Sequence, residues 1–170
     1  GKLWCALLYY IPTTTTSDAL ETVALGKGRF VVTWQDNTAG ADDTENKAIR
    51  AQVYAADGTE IGAEILVNTT NAGFQSSPQI TVLDNGGFAI AWYDGTIRQY
   101  SAQAFIANGS PIGGELDFPL DQVASSNAHR LAALEDGTFV LVAPERGRTS
   151  GDISGDAVIS QIMAPGIQAS

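Results

Sequence analysis

Ser77-Pro78-Gln79-Ile80-Thr81-Val82-Leu83-Asp84-Asn85-Gly86-Gly87-Phe88-Ala89-Ile90-Ala91-Trp92 is the stretch that decides the fold. Two short apolar runs, 80–83 and 88–92, flank Asp84-Asn85-Gly86-Gly87. Asn and Gly accept the positive φ of a tight hairpin, so the stretch reads as two antiparallel strands and their turn. The second run sets Phe88, Ile90 and Trp92 on one face and Ala89 and Ala91 on the other. Neither face is charged, and a strand apolar on both sides belongs to a sheet covered on both sides. Large residues on one face and small ones on the other suit a sheet stacked between two neighbours.

The same arrangement occurs three times. Leu25, Leu83 and Leu134 each stand five residues before Phe30, Phe88 and Phe139. Gln52 to Leu83 and Gln103 to Leu134 both span 31 residues, and Leu7, Ile65 and Leu116 each precede their leucine by 18. Length varies in one segment only: Trp34 to Gln52 is 18 residues, Trp92 to Gln103 is 11 and Ala143 to Gln161 is 18. A fixed period of this size marks a repeat architecture.

Each unit parses into four strands with no helical period. The first strands are 22–25, 80–83 and 131–134, and the second are 30–34, 88–92 and 139–143. The third are 49–55, 100–106 and 158–164, and the fourth are 64–67 and 115–118. Residues 1–170 read as one all-β domain with units at about 20–67, 78–118 and 129–166. The fourth strand of the last unit is missing, and an N-terminal strand within 1–12 stands ready to complete it. The expected architecture is a β-propeller-like array of three four-stranded repeats. A three-fold β-trefoil or β-prism is the alternative that closes without partners.

The segments 77–92 and 49–58, the latter followed by Ile61-Gly62 and Val67-Asn68, resemble a repeat of large secreted bacterial proteins of the hemolysin or RTX-like calcium-binding and adhesin type. The layout is more distantly similar to kelch propeller blades. The resemblance implies an extracellular or bacterial cell-surface setting, and calcium by association. The glycine- and aspartate-rich nonapeptide of RTX proteins is absent from this chain.

Composition narrows the field. Of 170 residues, 44% are hydrophobic, yet no apolar run reaches the roughly 18 residues of a membrane span. A net charge of −10 argues against nucleic acid and anionic membranes as partners. The lone Cys5 leaves no internal disulfide. No signal peptide is legible at the start, and the chain opens without Met and ends within a repeat, so it reads as a processed product or part of something larger.

In a four-stranded meander, the variable second-to-third connections share one end with the long polar links between units. A local function is expected there, because loops on a rigid frame carry binding. The loop 35–46 offers Asp36, Asn37, Asp42, Asp43 and Glu45 as oxygen donors; Asp36, Asp42, Asp43 and Glu45 are the candidate calcium ligands. Their spacing is not that of an EF-hand. Phe74, Tyr93 and Tyr100 are candidates for stacking on sugar rings; Asp94 is a further candidate ligand-binding residue, and with Arg98 it brackets the short second loop, where a surface ion pair is expected. Gln52, Gln103 and Gln161 recur mid-strand and read as buried amides bonded to neighbouring backbone.

His129 is the only histidine and sits in no acid–base motif, and no nucleophile elbow is present. A loop-borne carboxylate pair suited to glycoside hydrolysis would leave no signature in spacing. The sequence therefore reads as a non-enzymatic binding or adhesion module that meets a protein or glycan partner on its loop-bearing face. A scaffold subunit of a homo-oligomer or larger assembly, and a lectin, are the alternatives.

Overall fold

The computed structural model describes residues 17–38, 47–69, 73–118, 128–146 and 156–164. Strands β1 (Ser17–Leu25), β2 (Arg29–Asp36), β3 (Ala48–Tyr54) and β4 (Glu60–Leu66) form one sheet in chain order. Strands β5 (Gln75–Val82), β6 (Phe88–Asp94), β7 (Gln99–Phe105) and β8 (Pro111–Phe118) form a second of identical order. A third sheet comprises β9 (Arg130–Ala133), β10 (Phe139–Arg146) and β11 (Asp156–Met163) among the described residues. Every pairing is antiparallel. The strands expected from sequence are present; the 1–12 strand lies outside the described residues.

Alternation of side chains along the second strands builds the core. Phe88, Ile90 and Trp92, joined by Phe105, pack on Val31, Ile49, Ala51 and Val53 of the first sheet. The opposite face of the same middle sheet, carrying Ala89, Ala91, Ala102, Ala104 and Tyr100, receives Phe139, Leu141, Ala143 and Met163 of the third. Stacked sheets sit about 10 Å apart, so small side chains on one face leave the depth that large ones from the next must fill. Burying each aromatic or aliphatic side chain contributes about 1.5–3 kcal/mol.

The middle sheet thus feeds two separate cores through its two faces, whereas a trefoil or prism turns one face of each unit to a shared core. The fold is a propeller-like array, and the three-fold alternative is set aside on that ground. Strand β5 packs against both β1 and β9, so the first strand of each sheet lies innermost and β4 and β8 lie outermost.

The repeated glutamines are structural where the fourth strand is present. Strand pairing slips between Ala51 and Val53, and again between Ala102 and Ala104. Each slip is a bulge that frees carbonyl oxygens. The Nε2 of Gln52 donates to Val53 O at 3.0 Å and Ile61 O at 3.3 Å. That of Gln103 donates to Ala104 O at 2.9 Å and Ile112 O at 3.0 Å. Gly62 and Gly113, with φ of 76° and 67°, supply the left-handed turn that the bulged fourth strands require. Gln161 is exposed on β11.

Candidate functional site

At the loop-bearing end Asp36 and Asp94, among the acids expected to bind a ligand, are committed to the fold. Asp36 ends β2 and is buried; its Oδ1 accepts the Thr38 N–H at 2.9 Å and its Oδ2 the Arg50 Nε at 2.8 Å. Arg50 reaches on to Glu64 at 3.0 Å. Asn37 holds the Gln35 amide at 2.6 Å. Asp94, two residues after Trp92 as Asp36 is after Trp34, is equally buried. Its Oδ1 accepts from the Thr96 N–H at 2.7 Å and the Ile97 N–H at 3.4 Å. Both aspartates close an Asx-type turn. Asp94 is a turn cap and not half of a surface ion pair with Arg98. Asp42, Asp43 and Glu45 lie outside the described residues, among which no group of three His, Cys, Asp or Glu side chains converges to hold a metal.

The aromatic candidates do come together. Phe74, 45% exposed, lies with its ring against Gly95, where an added Cβ would come within 2.7 Å of the ring carbons. Tyr93 contacts Phe74 and Tyr100, each with centroids 5.9 Å apart, and Tyr100 meets the His129 ring at 4.5 Å. The result is a row running from surface to core. Burial, with the Tyr93 hydroxyl beside it, pushes the Tyr100 hydroxyl up to about 12. Burial likewise pulls His129 down to about 4, against the opposing hydrogen bond to Ala91 O. The His129 Nδ1 has no hydrogen-bond partner. A neutral, enclosed imidazole of this kind belongs to the core.

A second set of polar residues lies on the inner strands. Glu21, Gln79 and Arg130 each stand four residues before the repeated leucine, on β1, β5 and β9. Gln79 Nε2 donates to Glu21 Oε1 at 3.1 Å across the gap between the first two sheets. Glu21 and Arg130 are exposed and Gln79 is half-buried. Just upstream of the first two, pairing slips between Asp18 and Glu21 and between Ser76 and Gln79. Within those bulges Ala19 and Ser77 take φ of 52° and 57°. Left-handed backbone at a non-glycine residue costs about 1–3 kcal/mol and concentrates at sites where side chains are aimed for a purpose. The long polar loops drew attention away from this ring in the sequence, although its constant offset from the leucines was there to be read.

An open cleft of about 660 Å³ at the turn end, between the second and third sheets, is lined by Val82, Leu83, Asp84, Ala133, Leu134 and Glu135. Its Asp84 carboxylate is taken up by the Asp136 N–H at 2.9 Å.

No family model and no curated protein matches this chain. Solved structures do. An endo-arabinase from Bacteroides thetaiotaomicron superposes with a TM-score of 0.55 at 14% identity, covering 93% of this chain and 62% of its own. A thermostable family-43 glycoside hydrolase gives 0.53 at 10% identity over 92% and 58%. A family-43 endo-arabinanase from Bacillus licheniformis gives 0.50 at 14% identity over 86% and 51%. The chain thus spans between 51% and 62% of the length of these three. At such identity the likeness shows the fold. It also overturns the reading of a non-enzymatic adhesion module, with its scaffold and lectin variants. That reading took a stiff frame without a catalytic motif to mean no enzyme, yet proteins described as glycoside hydrolases are built on the same frame.

Proposed function

We propose that this chain forms the greater part of a carbohydrate-active propeller of the glycoside-hydrolase kind, with the polysaccharide engaged at the inner edge of the sheets. The observation that carries this reading is the Glu21–Gln79 contact between inner strands, set behind two strained bulges on a frame shared with family-43 hydrolases, with Arg130 at the equivalent repeat position of the third sheet. Glycoside hydrolysis takes two carboxyl groups, about 5–5.5 Å apart for retention and about 6.5–9.5 Å for inversion. Glu21 supplies one carboxylate on an accessible inner strand. The Gln79 amide donates a hydrogen bond to the Glu21 Oε1 and so holds the carboxylate between the two inner strands. Arg130, whose Nη1 donates to His129 O at 2.7 Å, offers its remaining donors to sugar hydroxyls from the equivalent position of the third sheet. Phe74, at the entrance to β5, adds an exposed apolar ring at the loop-bearing end.

Release of reducing ends from a panel of neutral polysaccharides, beginning with linear arabinan, tests the reading. Hydrolysis by the intact protein is expected, and Glu21→Gln is expected to lower turnover at least about 100-fold with an unchanged melting temperature. Full activity in Glu21→Gln would remove Glu21 from the chemistry, and no release from any glycan would remove the function.

A further inference from the structure

Phe74 is exposed and yet fixed in place. It is 45% exposed, whereas Phe88, Phe105, Phe118 and Phe139 are at most 2% exposed. Gly73 before it takes φ of 73°, and a Cβ at that position would collide with the Thr96 side chain. The Phe74 carbonyl accepts the Gly95 N–H at 2.9 Å, and its ring rests against Gly95, where no side chain would fit. The Tyr93 ring backs it from the core side. From the first sheet, Lys47 O accepts the Gln75 N–H at 3.1 Å, and the Lys47 Nζ stands 5.9 Å over the ring centroid. An exposed ring gives the core little of the stabilisation that burial supplies. Two glycines spend backbone freedom to hold it there. The arrangement presents the ring at the seam between the first and second sheets.

We propose that Phe74, with Lys47 beside it, is a substrate-holding site separate from Glu21, where one sugar of a neutral polysaccharide lies flat on the ring and its hydroxyls meet the Lys47 ammonium. The choice of a glycan rests on the carbohydrate-active reading above; the position and rigidity of the ring do not. Phe74 stands five residues before Gln79, so at about 3.3 Å per strand residue roughly 15 Å separates it from the Glu21–Gln79 contact. A polymer strand reaches both places, and a single sugar does not. The ring offers a flat apolar face, and the ammonium offers three donors on a flexible stem that can lift from the ring to a sugar laid on it. A sugar matches that pair, with C–H bonds on one face and hydroxyls around its edge. A protein partner fits less well, because specific interfaces bury about 800 Å² on each side. Phe74 and Ile97, the large exposed apolar residues at this end of the middle sheet among the described residues, fall far short of that area. A polyanion is disfavoured by the net charge of −10.

Affinity electrophoresis through native gels holding linear arabinan, then other neutral polysaccharides, tests the site in Glu21→Gln, so that hydrolysis does not consume the probe. Glu21→Gln is expected to be retarded. Adding Phe74→Leu, which keeps an apolar side chain and removes the ring, is expected to raise the dissociation constant about tenfold. Phe74→Tyr, which keeps the ring, is expected to bind as the parent does. Equal retardation of Phe74→Leu, a loss in Phe74→Tyr as large as in Phe74→Leu, or no retardation by any neutral polysaccharide overturns the proposal. Reducing-end release by the wild-type chain together with equal retardation of Phe74→Leu removes this site and leaves the hydrolase reading standing. Retardation that depends on the Phe74 ring, in a chain that releases no reducing ends, upholds this site and removes the hydrolase reading.

Discussion

The middle sheet and the third sheet follow the same apolar alternation and live in different surroundings. On the middle sheet Phe88, Ile90 and Trp92 press one neighbour while Ala89, Ala91, Ala102 and Ala104 accept another. On the third sheet Phe139, Leu141 and Ala143 press the middle sheet, but Val158 and Ile162 face solvent. The difference teaches that a propeller sheet is stabilised through its two faces in turn. A residue's contribution therefore depends on whether the neighbouring sheet is present as well as on its own side chain.

The largest contrast is in core truncation. Trp92→Ala removes a fully buried indole between two sheets and is expected to cost about 3–5 kcal/mol. Val158→Ala, on the open face, is expected to stay within about 0.5 kcal/mol. Urea unfolding of the two variants measures both. Comparable losses would mean that the third sheet is covered in solution.

Next comes pH, which reads the seam between the two sheets. His129 enters the fold with its pKa lowered from 6.5 to about 4 by burial. The unfolded chain then binds the proton that the folded chain refuses, so stability is full above pH 6.5 and falls as the pH drops toward 4. The contribution lost over that window is about 3 kcal/mol. Glu115 runs the other way, because burial raises its carboxyl above 4.5, so it takes up protons on folding. Comparing wild type with His129→Gln isolates the histidine; identical pH profiles would mean that His129 is solvated.

The smallest contrast is between glutamines at one repeat position. Gln103→Ala strands the Ala104 and Ile112 carbonyls at the β7–β8 bulge and is expected to cost about 1–3 kcal/mol. Gln161→Ala, on an exposed strand, is expected to change stability by less than about 0.5 kcal/mol. Thermal melts of both variants check the pair. A loss at Gln161 equal to that at Gln103 would place a fourth strand beside β11.

Much of this was legible beforehand, for reasons that the residues themselves supply. Strand identity came through because the Phe-x-aliphatic-x-Trp alternation and the Gly- and Asn-bearing turns are local signals. The glutamine role came through at Gln52 and Gln103, because a polar residue repeated among apolar neighbours must find backbone partners, and not at the exposed Gln161. Two of the candidate ligands are held by the fold itself. Asp36 and Asp94 look like ligands in a polar loop, but the turn they begin consumes their oxygens, and nothing in composition separates a capping carboxylate from a free one. Glu21, Gln79 and Arg130 differ chemically from one another, so their shared place at the inner edge emerges only once β1, β5 and β9 converge. The absence of a motif was taken for the absence of an enzyme, a step that the likeness to glycoside hydrolases overturns, because the same frame carries proteins so described.

Hydroxyl-radical footprinting of the intact chain tests the central asymmetry most directly, because it reads side-chain exposure residue by residue. Val158 and Ile162 should oxidise at the rates of exposed aliphatics while Ile49, Val53 and Tyr100, at the matching repeat positions, stay unlabelled. Protection of Val158 and Ile162 to the level of Ile49, or labelling of all five alike, would contradict the stacking of sheets described here.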